Sequence, residues 1–202
     1  MTVGPRASAA VESAAMRPDF TDTISDFAAR LEDAGISYMF VGSFAAQFYG
    51  LRRTTQDTDV IVDIKPRHLR GFVSAFRDGY FVQEEMVEDS IRTGLMFNIF
   101  PVQGLKFDII PLKDDAFERL KFERREVFDW HDYPIWVTRP EDLVLSKLEW
   151  ARESRSERQL ADIRAIMAAG AFDESETYFQ QWLGARALRE TLDACREAGY
   201  DA

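Results

Sequence analysis

The segment TQDTDVIVDI, Thr55 to Ile64, looks like a buried strand except that it carries three aspartates. In an extended strand successive side chains point to opposite faces, so Asp57, Asp59 and Asp63 would share one face. Neighbouring like charges destabilise a sheet, and partly buried carboxylates resist joint ionisation. Mg²⁺ offsets such repulsion, because this hard cation prefers carboxylate oxygens and keeps open positions for water and substrate phosphates. The spacing therefore indicates that Asp57 and Asp59 share one metal cluster.

A third carboxylate stands in the later segment KFDII, where Phe107 and Ile109 would point away from Asp108. If the two strands are neighbours, Asp108 joins Asp57 and Asp59 in one acidic floor. Such a floor is typical of a two-metal site, in which one ion activates the attacking oxygen and the other steadies the leaving phosphate. We therefore predict that these three aspartates are the metal ligands and the catalytic residues.

A structural alternative is that the aspartates line the solvated face of an edge strand, where charges discourage aggregation. The upstream residues favour a binding site instead. The run VGSF ends a predicted strand and begins a helix at Gly42 and Ser43. Backbone N–H groups and the Ser43 hydroxyl would meet an anion there. Gly42 taken alone is equally typical of a simple turn, but the order of strand, Gly-Ser, helix and carboxylate pair favours an anion site.

The elements that must position these residues are strands mixed with helices, followed by helices alone. Apolar residues at helical spacing predict helices in TDTISDFAARLEDAG and PRHLRGFVSAFRDGY, and a brief one in SFAAQFYG. Short apolar runs predict the strands SYMFVG, TDVIVDI, LMFNIFPV, LKFDIIPL and YPIWV, the third and fourth joined through Gly104. From Pro140 onward four helices are predicted, beginning with EDLVLSKLEWARE and SERQLADIRAIMAAG.

This order predicts an α+β fold: a small mixed sheet flanked by helices, followed by a C-terminal helical region. We expect a flexible N-terminal tail at residues 1–19, an α/β domain at residues 20–139 and the helical region at residues 140–202.

The composition limits the class of function. The chain has 202 residues, of which 46% are hydrophobic, enough to bury a core. Its net charge of −10 argues against non-specific binding of nucleic acid, because that binding depends on Lys and Arg residues that neutralise phosphates. The single cysteine, Cys195, excludes an internal disulfide and suits a reducing compartment. No apolar run approaches transmembrane length, so we expect a cytoplasmic protein with no membrane partner.

The segment VGSFAAQFYGLRRTTQDTDVIV, Val41 to Val62, resembles the signature of the DNA polymerase β-like nucleotidyltransferases. That signature runs from a hydrophobic residue and Gly-Ser through a helix to paired acids between hydrophobic residues. The form most similar to it is that of the minimal bacterial group that includes the AbiEii-type toxins of toxin–antitoxin systems. Members of this group tend to carry an Arg-x-Thr-x-Asp motif that ends at the first of the paired acids. Arg53, Thr55 and Asp57 match this motif here.

Further matches extend the resemblance over Phe20 to Ala169. A third acid on a later strand is matched by Asp108. A downstream Lys and Arg on a helix are matched by Lys147 and Arg152 in the run KLEWAR.

The resemblance implies an enzyme that moves a nucleoside monophosphate from an NTP to an acceptor hydroxyl or another nucleophile. Mg²⁺, or Mn²⁺ in its place, would be held by Asp57, Asp59 and Asp108. Because phosphoryl-type transfer leaves little covalent chemistry to protein groups, the mechanism would be one of positioning and electrostatics. The implied nucleotide-binding residues are Gly42, Ser43, Arg53, Thr55, Lys147 and Arg152.

For three residues, a purely structural role is an alternative to a role in the nucleotide site. Arg53 would hold a phosphate or pair with a structural carboxylate. Lys147 would reach the phosphates or lie as a cationic flank over the apolar stripe of its helix. AbiEii-like proteins carry two acids three residues apart in the segment that matches SERQLADI, but here Gln159 takes the first position and only Asp162 remains. This departure weakens the assignment as a toxin, and Asp162 would then cap its helix or pair with Arg158.

The sequence leaves the acceptor open among RNA or tRNA, protein and small molecules, although the acidic charge mildly favours a small molecule over RNA. A second class of function is a catalytically inactive protein of the same fold that binds or regulates, as one half of a toxin–antitoxin pair with a cognate antitoxin. A third is an interaction module whose C-terminal helices bind a protein. The three carboxylates favour catalysis, because a purely structural module does not need repelling charges.

Overall fold

The computed structural model describes residues 20–197 apart from 54, 56 and 103. The tail predicted at residues 1–19 lies outside the described residues. The helices are α1 (Phe20–Asp33), α2 (Gly42–Gln47), α3 (Leu69–Phe76), α4 (Glu84–Thr93), α5 (Ala116–Glu123), α6 (Pro140–Ser154), α7 (Glu157–Ala168), α8 (Thr177–Ala185) and α9 (Arg189–Glu197). The strands are β1 (Tyr38–Phe40), β2 (Asp57–Val62), β3 (Tyr80–Phe81), β4 (Phe97–Pro101), β5 (Lys106–Pro111), β6 (Glu126–Trp130) and β7 (Tyr133–Val137).

Over the described residues the strands form one seven-stranded sheet in the order β3-β4-β5-β2-β1-β7-β6. The sheet is mixed: β2 pairs in parallel with β5 and antiparallel to β1, and β1 pairs in parallel with β7. Antiparallel pairs join β4 to β5 and β6 to β7. The predicted α+β fold with a mixed sheet flanked by helices is therefore confirmed.

The strand that carries the aspartates is central, since β2 is the fourth of the seven strands. The alternative that these charges protect an edge strand is wrong, because β2 lies inside the sheet: it pairs with β5 from Asp57 to Val62 and with β1 from Val60 to Val62.

The alternation predicted along β2 is confirmed. Thr58, Val60 and Val62 are fully buried, and the two valines belong to the main hydrophobic core. On the opposite face Ile61 packs with Met39 and Phe122 in a small second cluster. The acids thus share a sheet face with apolar side chains, which reduces their contact with water.

An aromatic contact fixes the orientation of β5. Phe27 of α1 stacks on Phe107, with ring centroids 4.0 Å apart and planes inclined by 7°. Both side chains are fully buried. Because Phe107 points into this core, its neighbours Lys106 and Asp108 point to the opposite face of the sheet.

The four helices predicted after Pro140 are present as α6 to α9. The apolar stripe of α6 is buried and contains Leu143, Val144, Leu148 and Ala151. This helix contacts α2 as well as α7, α8 and α9, so it joins the sheet region to the later helices. The domain boundary at residue 139 stays a prediction.

Several elements were not predicted from the sequence: β3, α4, α5 and β6. In β6 the side chains of Glu126, Val127 and Asp129 are exposed. Phe128 and Trp130 lie on the other face from Val127 and Asp129 and pack, partly buried, against the core. Because the inner face also carries Glu126 and the exposed face carries Val127, EVFDW has no clean alternation of polar and apolar residues, which is why it gave no signal. No helix among the described residues combines the length and apolar character that a membrane crossing needs.

Candidate active site

The pairing of β2 with β5 brings the three predicted catalytic aspartates together. Asp59 lies directly opposite Asp108, and Asp57 lies opposite Lys106. By alternation these four side chains share one sheet face. Asp57, Asp59 and Asp108 line an open cavity of about 690 Å³.

Gly42, at the start of α2, allows Asp59 to approach the backbone closely. Its φ is +63°, and a Cβ placed there would overlap Asp59 Oδ2 and lie 2.8 Å from Asp59 Cγ. Just before it, the Val41 N–H donates to the Asp59 carbonyl at 3.0 Å. Glycine is therefore required here both by the left-handed backbone and by the neighbouring carboxylate.

Gly42→Ala is expected to lower the free energy of unfolding by about 2–3 kcal/mol, because positive φ and overlap with Asp59 add together. The matched control is Gly94→Ala, where φ is +71° but no atom lies within 4 Å of the added Cβ. That variant should lose about 1 kcal/mol. Urea unfolding of the two variants measures the difference, and equal losses would contradict close packing of Asp59 on Gly42.

Lys106 is a component of the site that the sequence prediction missed. Its Nζ lies 3.3 Å from Asp57 Oδ1 and 3.1 Å from Asp108 Oδ2. From β4, the amide of Asn98 donates to Asp108 Oδ1. The signal that would have found Lys106 is its position two residues before Asp108, which places both side chains on one face of a strand.

Asp59 carries a perturbed carboxyl group. Burial, and then the charges of Asp108 and Asp57, raise its pKa from 3.8 to about 6. The ammonium groups of Lys147 and Lys106 act in the opposite direction. Such a shift is typical of functional sites, where unfavourable charges are held together.

This shift predicts a pH dependence of stability in the presence of a chelator. The folded protein holds a proton on Asp59 up to about pH 6, whereas the unfolded chain releases it near 3.8. Stability contributed by this group is therefore lost as the pH rises between those values. Asp59→Asn does not titrate, so it should match the wild type below pH 4 and exceed it by up to about 3 kcal/mol above pH 7.

Urea unfolding of both proteins at several pH values measures this difference. A stability difference that stays constant with pH would contradict the raised pKa of Asp59.

A buried ionic network lies beside the aspartates and connects three elements. Asp162 of α7 is 1% exposed and accepts two hydrogen bonds from Arg53, Nε to Oδ1 at 2.8 Å and Nη2 to Oδ2 at 2.7 Å. Lys147 Nζ of α6 donates to Asp162 Oδ2 at 2.8 Å and to Gln159 Oε1 at 3.0 Å. Arg53 Nη2 also donates to Ser43 Oγ at 2.5 Å. The network therefore fixes Ser43, at the start of α2, against α6 and α7.

The network shows which structural contacts its members make. Arg53 pairs with a buried carboxylate, as one alternative predicted. Lys147 is 4% exposed, so the prediction of a cationic flank above the core is wrong, because Asp162 compensates its buried charge. The predicted pairing of Asp162 with Arg158 is also wrong, since its partners are Arg53 and Lys147.

The pKa values of the network follow from burial and pairing. Burial lowers the pKa of Lys147, although its bond to Asp162 acts to raise it. Burial alone would raise the pKa of Asp162, but hydrogen bonds from Arg53 and Lys147 outweigh it, and the pKa lies below its ordinary value. Asp162 therefore stays ionised and holds both cations.

The remaining predicted residues differ in their distance from the cavity. Gly42, Ser43, Thr55 and Lys147 line it. Arg152 does not belong to its lining in the described part of the chain, and its Nη1 donates to the carbonyl of Arg186 at 2.6 Å.

The cavity is also surrounded by charged residues that the sequence analysis did not assign to the site. They come from the segment before α5, from α5 to α7 and from the loop after α8, and no single segment carries a pattern that would reveal them. The cations are Lys113, Lys121, Arg158 and Arg186, and the acids are Asp115, Glu118, Glu149 and Glu153.

Comparison with known proteins gave matches to solved structures only. No family model and no curated protein matches the chain. A nucleotidyltransferase-like antigenic protein from Paracoccidioides brasiliensis is similar in structure with a TM-score of 0.52 and 15% identity, over 90% of this chain and 94% of that one. The antibiotic-resistance factor ANT(2'')-Ia matches with a TM-score of 0.51 and 12% identity, over 89% of this chain and 97% of that one.

The chain has the nucleotidyltransferase fold. A second structure of ANT(2'')-Ia, in complex with adenylyl-2''-tobramycin, gives the same TM-score of 0.51 at 13% identity, over 88% and 97% of the two chains. At these identities the likeness establishes the fold, and the grouping with AbiEii-type proteins stays a prediction.

The donor chemistry of this nucleotidyltransferase-fold site fits a hard divalent cation. Three carboxylates on paired strands supply oxygen ligands, and the Lys106 ammonium already lies against two of them. As placed, no three Asp, Glu, His or Cys side chains of the described residues are gathered closely enough to hold a metal ion. Asp57 and Asp108 each contact the Lys106 ammonium instead.

Proposed function

We propose that this protein transfers a nucleoside monophosphate from an NTP to an acceptor nucleophile in a Mg²⁺-dependent reaction, with Mn²⁺ as the alternative ion. The observation that carries the proposal is the register that sets Asp59 opposite Asp108, with Asp57 beside them at the floor of an open cavity. The shared nucleotidyltransferase fold supports it.

Asp57, Asp59 and Asp108 would hold the cation, which when bound would neutralise triphosphate charge and activate the attacking oxygen. Asp108 accepts a hydrogen bond from Asn98, so its carboxylate is oriented before substrate binds. We assign Asp108 the role of general base, which removes the proton from the acceptor nucleophile.

The triphosphate is a polyanion, and the cavity offers cationic and hydroxyl groups to bind it. Lys147, Ser43 and Thr55 line the cavity beside the carboxylates, and Gly42 leaves room for close approach. Arg53 acts indirectly, because its guanidinium holds both Ser43 and Asp162. We assign Arg152 an indirect role as well, through its hydrogen bond to the carbonyl of Arg186 at the cavity.

We favour a small-molecule acceptor over RNA or protein. The charged residues around the cavity number four cations and four acids, so they offer no net positive charge to attract a second polyanion, and the net charge of −10 of the chain disfavours one. The structure of ANT(2'')-Ia with adenylyl-2''-tobramycin supports a small acceptor on this fold.

The AbiEii-like grouping and a toxin–antitoxin role form a finer proposal. The segment that carries two acids in AbiEii-like proteins here places Gln159 in the lining of the cavity and Asp162 behind it. Growth arrest on induced cytoplasmic expression, relieved by a cognate antitoxin, would support this role, and unaffected growth would contradict it.

Transfer of the correct phosphate tests the proposed reaction. The protein is incubated with Mg²⁺ and each NTP, labelled at the α or the γ phosphate, and with small molecules, tRNA and protein as acceptors. We expect the α label on one acceptor class and the γ label in pyrophosphate. Transfer of the γ label to the acceptor would indicate a kinase and contradict the proposal.

A further inference from the structure

The three carboxylates of the proposed active site already have one cation among them. Lys106 Nζ contacts Asp57 Oδ1 and Asp108 Oδ2 at 3.3 and 3.1 Å. The parallel register makes this contact intrinsic to the sheet, since Asp57 is the partner of Lys106 and Asp108 follows Lys106 by two residues on the same face. The lysine side chain is about one third exposed.

Asp108 is engaged on both of its oxygens. Asn98 donates to Oδ1, and the Lys106 ammonium lies against Oδ2. The side chain of Asp108 is only 10% exposed, so protein donors replace much of its contact with water. Fewer acceptor positions remain on this carboxylate for additional cations.

The balance of charge at the three carboxylates also favours the binding of a single divalent ion. Three ionised carboxylates carry three negative charges, and Lys106 reduces the total to two. One divalent cation neutralises that remainder, whereas a second would leave the floor with two excess positive charges. The nearby network of Arg53, Lys147 and Asp162 carries one net positive charge of its own, which further disfavours a second ion.

We propose that Lys106 takes the place of the second cation of a two-metal site, so that the proposed active site binds one divalent ion. This inference rests on the proposed function and revises the two-metal site predicted from the sequence. Lys106 would act as a positioning residue, because it orients and neutralises carboxylates and does not belong to the cavity lining in the described residues.

Titration with Mn²⁺ alone tests this proposal, with the free ion followed by its electron paramagnetic resonance signal. The titration is run at pH 8 on the wild type, Lys106→Met and Lys106→Gln. Ions still bound by the triple variant Asp57→Asn, Asp59→Asn, Asp108→Asn belong to the acidic surface and are subtracted. We expect one ion at the site of the wild type and two in each Lys106 variant.

The matched control is Lys65→Met, because Lys65 pairs with Asp63 at 2.8 Å just beyond β2 and has a similar exposure. This variant should still bind one ion. Thermal unfolding provides a second readout: in chelator Lys106→Met should unfold at a lower temperature than the wild type, and Mn²⁺ should raise its midpoint by more.

The outcomes separate this inference from the proposed function. Two ions in the wild type, or one ion in both Lys106 variants, would overturn the role of Lys106 and leave the nucleotidyltransferase proposal standing. No ion at the wild-type site would contradict the metal-dependent function itself, and the inference with it.

Discussion

Asp162→Asn is expected to lower the free energy of unfolding by about 3–5 kcal/mol, because two cations lose the buried carboxylate that they share. Lys147 is almost fully buried, and Arg53 makes both of its hydrogen bonds to Asp162 with good geometry. Without the charge on Asp162 the two cations repel each other. Urea unfolding of the wild type and the variant measures the loss.

The control for this prediction is Asp89→Asn on α4. Asp89 pairs with Arg92 at 2.8 Å, but both side chains are about 70% exposed. A solvated pair of this kind contributes roughly 0–1 kcal/mol. If the two variants lose similar amounts, the buried network does not stabilise the fold as its geometry indicates.

Asp59→Asn is expected to abolish Mg²⁺-dependent NTP binding while the fold is retained. Loss of one buried charge from a binding site costs about 2–5 kcal/mol, which corresponds to a loss of roughly 30-fold or more in affinity. The fold should survive because the substitution removes repulsion from Asp57 and Asp108. Isothermal titration calorimetry with each NTP and Mg²⁺ measures the affinity.

Asp63→Asn is the matched control for this experiment. Asp63 follows β2 on the face predicted to carry the acids, but it pairs with Lys65 and lies outside the cavity lining of the described chain. Its substitution should leave NTP affinity unchanged. Equal effects of the two variants would indicate a general effect of charge, and unchanged binding by Asp59→Asn would remove Asp59 from the site.

The sequence predicted which face of each strand carries the acids, because alternation is a local property of a strand. It did not contain the register that sets Asp59 opposite Asp108, since α3, β3, α4 and β4 lie between β2 and β5 along the chain. The sequence analysis assumed that the two strands are neighbours, and the resemblance to nucleotidyltransferases matched Asp108 only to a third acid on a later strand. Lys106 was missed although it is the register partner of Asp57.

The partners in the network of Arg53, Lys147 and Asp162 also could not be predicted from the local sequence. A local pattern suggested Arg158 as the partner of Asp162, one helical turn away. The structure pairs Asp162 with Arg53, 109 residues distant, and with Lys147 of the preceding helix. Burial of Lys147 follows from that long-range pairing, so helical periodicity alone could not distinguish a buried lysine from one at the edge of the core.

Thermal unfolding of the wild type with each NTP, in Mg²⁺ and in chelator, tests the central claim most directly, because it needs no knowledge of the acceptor. A ligand at about one hundred times its dissociation constant should raise the free energy of unfolding by ~2.7 kcal/mol. We predict that at least one NTP stabilises the protein by this amount with Mg²⁺ and not with chelator. If no NTP changes the unfolding midpoint in either condition, the acidic cavity is not a nucleotide site and the proposed function is wrong.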